Sequence, residues 1–325
     1  MKDLIRKLTE AYGPSGAEDQ IRELIRAEVE PLADEVRVDP LGSLIAVKKG
    51  AGKRIVLDAH MDEIGLMVSY VDEKGFARVT SIGGVSPLTC IGGRVVFADG
   101  TVGVIGVDEK RERSKPPQLS QLYVDVGATS QADCPMQVGD AAGFVRPFVA
   151  TGSRLISKTM DDRIGCVVLI QVLRRLKTSP HEVHFVFSVQ EEVGLRGARA
   201  SAYGVDPDLA IAVDITAAGD MPESKPRAIS LGEGPAIKVQ DRGMIAHPAV
   251  RELLVKTAKK NKIPYQLEVL ELGTTDAAAI QLTRAGVPAG CVSIPCRYFH
   301  SPSEMVDLAD VENAIKLLVA AVKAV

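Results

Sequence analysis

Apolar and polar positions along the chain form three successive textures. In "PSGAEDQIRELI", Ile21, Leu24 and Ile25 recur on one helical face, and Ser15 and Glu18 have capping-box spacing. Short strands are predicted at "EVRVD" (35–39), "SLIAVK" (43–48) and "RIVLDAH" (54–60). From about 66 to 151 helical periodicity disappears. Strand-length segments rich in Gly, Val and Thr alternate with turns, and "ADGTVG" (98–103) reads as a hairpin turn. After 152 helices and strands alternate. A helix is predicted over 161–177, then the strand "EVHFVFSV", a helix near 193–203 and the strand "LAIAVD" (209–214). A helix near 247–261, the strand "YQLEVL", a helix from 276, the strand "GCVSI" and an amphipathic helix over 309–325 complete the chain.

This rhythm predicts an α/β fold: a mixed, mostly parallel sheet covered by helices on both faces, with an inserted all-β, barrel-like domain. The strand before the insert needs partners from the later part of the chain. One domain is therefore expected over 1–65 and 152–325, interrupted by the β-rich unit over 66–151.

Composition narrows the function. With 46% apolar and 25% charged residues, the 325-residue chain has the balance of a soluble globular protein. A net charge of −3 supplies no global positive field for nucleic acid or an anionic membrane. No apolar run approaches the roughly 20 residues of a membrane helix. The one dense charge run, "DEKRERSK" (108–115), mixes signs and reads as a solvated loop. The first residues lack the apolar core of a signal peptide. Five cysteines, an odd number without a CxxC, suit reduced thiols and a cytoplasmic location.

Sites in open α/β sheets form beyond the carboxyl ends of strands. Just beyond the predicted strands lie His60 and Asp62, Asp161 and Asp162, Glu191 and Glu192, Asp214, and His300. Each alone has an ordinary explanation, as a surface pair, a turn cap or a loop cap; their joint recurrence after strands points to a shared site. Imidazole and carboxylate donors without thiolate fit zinc, cobalt or manganese. One His and one terminal carboxylate per ion, plus one bridge, gives two ions: His60 and Asp214 on the first, Glu192 and His300 on the second, Asp161 across both. Glu191 is then free to act as general base toward a hydroxide bridging the ions. Asp62 is placed to accept the second ring N–H of His60. His181, His184 and His247 are read as structural.

The residues resemble a known family, the tetrahedral-assembly aminopeptidases, which use two metals and include glutamyl and deblocking aminopeptidases. The resemblance rests on "AHMDEIG", "SKTMDDRIG", "VQEEVGLRGA", "AVDIT…AGD", "GEGPAIKVQDRGMIAHP" and "CRYFHSP", in order along nearly the whole chain. It implies the same five ligands with Asp161 bridging, Glu191 as base, Asp62 as orienter of His60, and a cis peptide after Asp161. It also implies two zinc or cobalt ions per subunit, short peptides with a free N-terminus as substrates, and a β insert that dimerises within a dodecamer. "GTTDA" stands where the family has "GGTDA". The rival readings are a dinuclear deacylase or carboxypeptidase acting on acyl-amino acids, a two-carboxylate glycosidase, and a scaffold with a vestigial site.

Overall fold

The computed structural model describes residues 1–112, 114–224 and 228–325. Two helices open the chain, α1 (Lys2–Thr9) and α2 (Asp19–Val29). Leu4, Ile5 and Leu8 of α1 and Ile21, Ile25 and Val29 of α2 recur at helical spacing and are buried. The capping box expected from Ser15 and Glu18 does not form, because α2 begins only at Asp19. The Ser15 hydroxyl instead donates to the Asp62 carboxylate at 2.6 Å, and Glu18 accepts from the Gly16 N–H at 2.8 Å. A buried carboxylate needs protein donors; a helix end near the surface can use water.

Strands β1 (Glu35–Val38), β2 (Leu44–Lys48) and β3 (Arg54–His60) come next. After them stand β4 (Gly65–Val71), β5 (Ala77–Ile82), the one-turn helix α3 (Pro87–Cys90), β6 (Arg94–Phe97), β7 (Val102–Val107), β8 (Leu122–Asp125) and β9 (Ala141–Val145). The strands β4 to β9 close an antiparallel barrel in the order β4-β5-β8-β7-β6-β9. Its interior is filled by Leu66, Val68, Val79, Val95, Ile105, Val124 and Phe144. The predicted 98–103 turn joins β6 to β7, which pair antiparallel. The 108–115 run forms turns and bends and is mostly exposed; Arg113 within it lies outside the described residues.

The chain then returns to the large sheet with β10 (Val149–Thr151), β11 (Arg154–Ser157), α4 (Met160–Arg175), β12 (Glu182–Ser188), α5 (Arg196–Val205) and β13 (Leu209–Ala217). It ends with β14 (Ala236–Gln240), α6 (Pro248–Lys260), β15 (Gln266–Val269), α7 (Asp276–Gln281), β16 (Ala289–Arg297), β17 (Glu304–Asp307) and α8 (Leu308–Val322). Among the described residues the sheet runs β1-β2-β12-β3-β13-β16-β17-β11-β10, with β14 on β16 and β15 on β14. The sheet is mixed, as expected. Its centre, β12-β3-β13-β16, is parallel, and antiparallel pairs extend from both sides.

Alternate residues of these strands serve two cores. Leu57, Phe185, Ile211 and Val292 pack one face with α1, α2, α4, α6 and α8, whereas Val56, Val186, Ala212 and Cys291 pack the other with α5 and α7. All five cysteines are free thiols. Among the described residues no helix is long and apolar enough to cross a membrane.

Candidate functional site

The parallel centre aligns the carboxyl ends of β3, β12, β13 and β16 along one edge, and the predicted residues meet there. His60 is the last residue of β3, and Asp214 lies in β13. Asp161 lies in the first turn of α4, where the Asp161–Asp162 peptide is cis. Glu191 and Glu192 lie just beyond the end of β12. Both can face one site because the chain has left the strand: Gln190, Gly194 and Leu195 all have positive φ. His300 comes after β16 and has a φ of 55°.

Donor atoms of His60, Asp161 and Asp214 lie within 4.8 Å of one another, and so do those of Asp161, Glu192 and His300. Asp161 belongs to both sets: Oδ1 is 3.1 Å from His60 Nε2, and Oδ2 is 3.3 Å from His300 Nε2. His300 Nε2 is also 3.3 Å from Glu192 Oε2. Glu191 Oε2 is 4.0 Å from His60 Nε2.

Asp62 sits behind this group, fully buried. Its Oδ1 is 3.3 Å from His60 Nδ1. It also accepts the backbone N–H groups of Glu191 (3.0 Å) and Glu192 (3.2 Å). One carboxylate thus orients the His60 ring and shapes the turn carrying both glutamates.

The charge balance favours a cation. Burial, then the carboxylates of Asp276, Asp214 and Glu192, push the Glu191 carboxyl well above its ordinary range. Burial, then Asp161, does the same for Asp214. The Asp161 carboxyl is held low despite burial by hydrogen bonds with His300 and His60. Burial would lower His300, but Asp161 and Glu192 override it and push the imidazole up to about 12. The protein alone therefore offsets its crowded carboxylates with protons on imidazoles. Divalent cations on the same nitrogen and oxygen atoms would do so more completely. Glu192 Oε1 is buried without a hydrogen-bond partner, a lone pair still in need of a proton donor or a cation. The donor set fits such an ion.

Two supporting groups escaped the sequence reading. Glu304, at the start of β17, accepts the Asp161 N–H at 2.8 Å through Oε2 and the His300 N–H at 2.9 Å through Oε1. Glu63 and Lys158 form a buried ion pair, with Nζ 2.7 Å from Oε1. Thr159 Oγ1 donates to Glu63 Oε2 at 3.0 Å, tying the segment before Asp161 to the segment after Asp62. Glu304 lies shortly past His300 and Glu63 directly follows Asp62, but spacing alone says nothing of their contacts.

His60, Asp161, Glu191, Glu192, Asp214 and His300 line one cavity of about 510 Å³, walled further by Leu270, Leu272, Thr274 and Phe299. A larger cavity of about 1120 Å³, against Arg37, Leu41, Tyr203 and Arg284, touches none of these donors. We place the chemistry in the smaller cavity because the donors converge there. His181, His184 and His247 lie outside it and serve locally: His247, for example, caps α6 by accepting the Ala249 N–H.

Known proteins bear on this arrangement. The sequence profile described as M42 glutamyl aminopeptidase matches residues 42–317. A putative aminopeptidase of Acetivibrio thermocellus is 52% identical, covering 99% of this chain and 98% of its own. The solved structure of aminopeptidase APDkam598 from the archaeon Desulfurococcus kamchatkensis superposes with a TM-score of 0.95 at 44% identity, over 99% of this chain and 94% of that one. The TET1 peptidase of Pyrococcus horikoshii, described as able to assemble into a tetrahedron or a large octahedral shell, gives 0.88 at 32% identity over 98% of both chains. A sheet edge gathering two imidazoles and four carboxylates, on a fold shared along its whole length with peptidases, leads to one assignment: the chain belongs to the M42 glutamyl aminopeptidase family, and it is an enzyme of the aminopeptidase class.

Proposed function

We propose that this enzyme removes the N-terminal residue from short peptides with two divalent cations, zinc or cobalt, held at the sheet edge. The observation that carries the reading is Asp161, shared between two three-donor sets with Glu191 beside them. His60 and Asp214 would hold one ion, Glu192 and His300 the other, and Asp161 both. When bound, the ions would supply an acidified water and an electrophile for the scissile carbonyl. Glu191 would take the proton of the attacking water and return it to the leaving amine nitrogen. Asp62 would hold His60 with Nε2 facing the ion and Nδ1–H donated away.

The catalytic unit on this reading comprises 1–65 and 152–325. The 66–151 unit mediates self-association toward a dodecamer, of the kind seen in TET peptidases. Exposed apolar residues on the barrel, among them Tyr70, Val102 and Val104, support an interface role. Free thiols suit the cytoplasm.

The test is a metal-reconstitution assay against aminoacyl chromogenic substrates, with EDTA-treated enzyme as control. Activity that vanishes with EDTA and returns with zinc or cobalt supports the reading. Hydrolysis of N-acetyl amino acids, with none of free-amine substrates, would replace it with the deacylase reading.

A further inference from the structure

A second groove, about 830 Å³, lies between the barrel and the large sheet. Ser86 and Thr89 form its barrel side, and Phe299, His300 and Met305 its sheet side. It adjoins the donor cavity: His300 and Phe299 line both. The barrel edge comes into direct contact with the donors at this junction. A Cβ on Gly84 would sit 2.5 Å from His300 Nδ1, and one on Gly83, whose φ is +71°, would sit 3.1 Å from Glu192 Oε2. The absence of side chains at Gly83 and Gly84 therefore lets the chain at the end of β5 pack directly against the donors Glu192 and His300.

The two spaces are lined by different charged groups. Asp161, Glu191, Glu192 and Asp214 line the first. Besides His300, the charged side chain lining the second, among the described residues, is Arg146 alone. It is half-buried, and its Nη1 donates to the Val145 carbonyl at 3.3 Å. Among the described residues no carboxylate pairs with it, whereas Arg297 is fully engaged by Asp220 at 2.7 and 2.8 Å. A half-buried arginine without an anion, facing a groove beside a peptidase site, suits a ligand carboxylate.

Resting on the aminopeptidase reading, we propose that this groove receives the part of a short peptide beyond the scissile bond, with Arg146 binding its C-terminal carboxylate. The aminopeptidase reading sets the direction of the substrate: its N-terminal residue lies in the donor cavity, and its carboxylate end lies at Arg146. The position of Arg146 also sets a length preference. Only peptides whose C-terminus reaches Arg146 gain the contact, so a free C-terminal acid should be favoured over the amide at one short length and not at greater ones.

The experiment compares kcat/KM for di-, tri- and tetrapeptides as free acids and as C-terminal amides, in the metal-loaded wild type, Arg146→Lys and Arg146→Ala. Removing a charge-assisted contact of this kind costs about tenfold to a hundredfold. The expected result is an acid-to-amide ratio above about ten at one length in the wild type. That ratio should fall to near one in Arg146→Ala, chiefly through KM, with an intermediate value in Arg146→Lys. Amide turnover in the same preparations reports that each variant is folded. A wild-type ratio near one at every length, or a ratio unchanged in Arg146→Ala, overturns the inference while leaving the aminopeptidase reading intact. Failure of the wild type to hydrolyse any free-amine substrate overturns the aminopeptidase reading itself.

Discussion

The barrel and the centre of the large sheet meet the same requirement, burial of strands, in opposite ways. The barrel interior is apolar: Leu66, Val95, Phe97, Leu122, Val124 and Phe144 close it. The parallel centre buries Asp58, His60, Ser188, Asp214 and Ser293 among its aliphatic residues, and Asp276 joins them from α7. Ser188 Oγ lies 2.6 Å from an Asp276 oxygen and 3.3 Å from an Asp58 oxygen, so even polar groups behind the donor set are stacked in layers. The difference separates two tasks. Apolar burial stabilises a fold almost wherever it occurs. Buried charge is costly wherever it lacks a partner, and it concentrates where the chemistry needs it.

If that separation is real, the largest effect should come from a residue that adds nothing to stability. Glu191→Gln is expected to lower kcat by about 10²–10⁴-fold while retaining metal content and leaving the unfolding midpoint unchanged or slightly raised. Turnover assays on metal-analysed protein check it; near-normal turnover would remove Glu191 from the mechanism.

Next in size is the ion pair under the site. Glu63→Ala strands Lys158 in a site almost closed to water, where Nζ keeps the Ala11 carbonyl, at 3.0 Å, as its hydrogen-bond acceptor. Breaking a buried pair from one side costs about 3–5 kcal/mol, to be read by denaturant unfolding. A loss below about 1 kcal/mol, the size of an exposed pair, would mean that the charged region does not depend on pairing.

The barrel should respond in the opposite sense to Glu191. Leu122→Ala removes a fully buried side chain from its interior and should cost about 2–5 kcal/mol of stability. Turnover per folded molecule should stay nearly unchanged, since Leu122 does not line the donor cavity. A large loss of kcat in folded protein would show that the barrel and the site are mechanically coupled.

How much of this was legible in the sequence obeys the same division. β3, predicted over 54–60 and found there, is a run of buried residues with a clear end, and its chemistry sits at that end. The C-terminal helix and β12 were legible for the same reason. α1 was not read, although Leu4, Ile5 and Leu8 have helical spacing, because a short helix crowded with charge gives a weak signal. β14 and β17 are short; β14 pairs with β15 and β16, and β17 pairs with β16 and with the distant β11. The helix expected from 193 starts at Arg196 because Gly194 and Leu195 are still turning with positive φ. Donor side chains were legible because carboxylates and imidazoles after strands form a pattern. The groups that hold the donors act through backbone N–H groups and buried contacts, which leave no pattern in residue type.

Glu304 is the clearest of those supports, and it gives the smallest predicted effect. Its two oxygens accept one N–H from Asp161, 143 positions away in sequence, and one from His300. These residues belong to the donor set shared with Glu192, so Glu304 fixes the separation of two donors without contributing one. Gln at this position keeps the shape and one acceptor oxygen but turns the other atom into a donor facing a backbone N–H. One of the two donors then loses its anchor. Supporting groups of this kind typically contribute about 10–100-fold to metal affinity. Glu304→Gln should therefore weaken binding at the site built from Asp161, Glu192 and His300 by roughly that factor. It should spare the site of His60 and Asp214 more, apart from its share of Asp161. Competition titration with a chromophoric chelator resolves the two affinities. If both sites weaken equally, Glu304 acts through Asp161 alone; if neither weakens, the sheet edge is rigid without it, and the layering of buried polar groups behind the donors does not tune them.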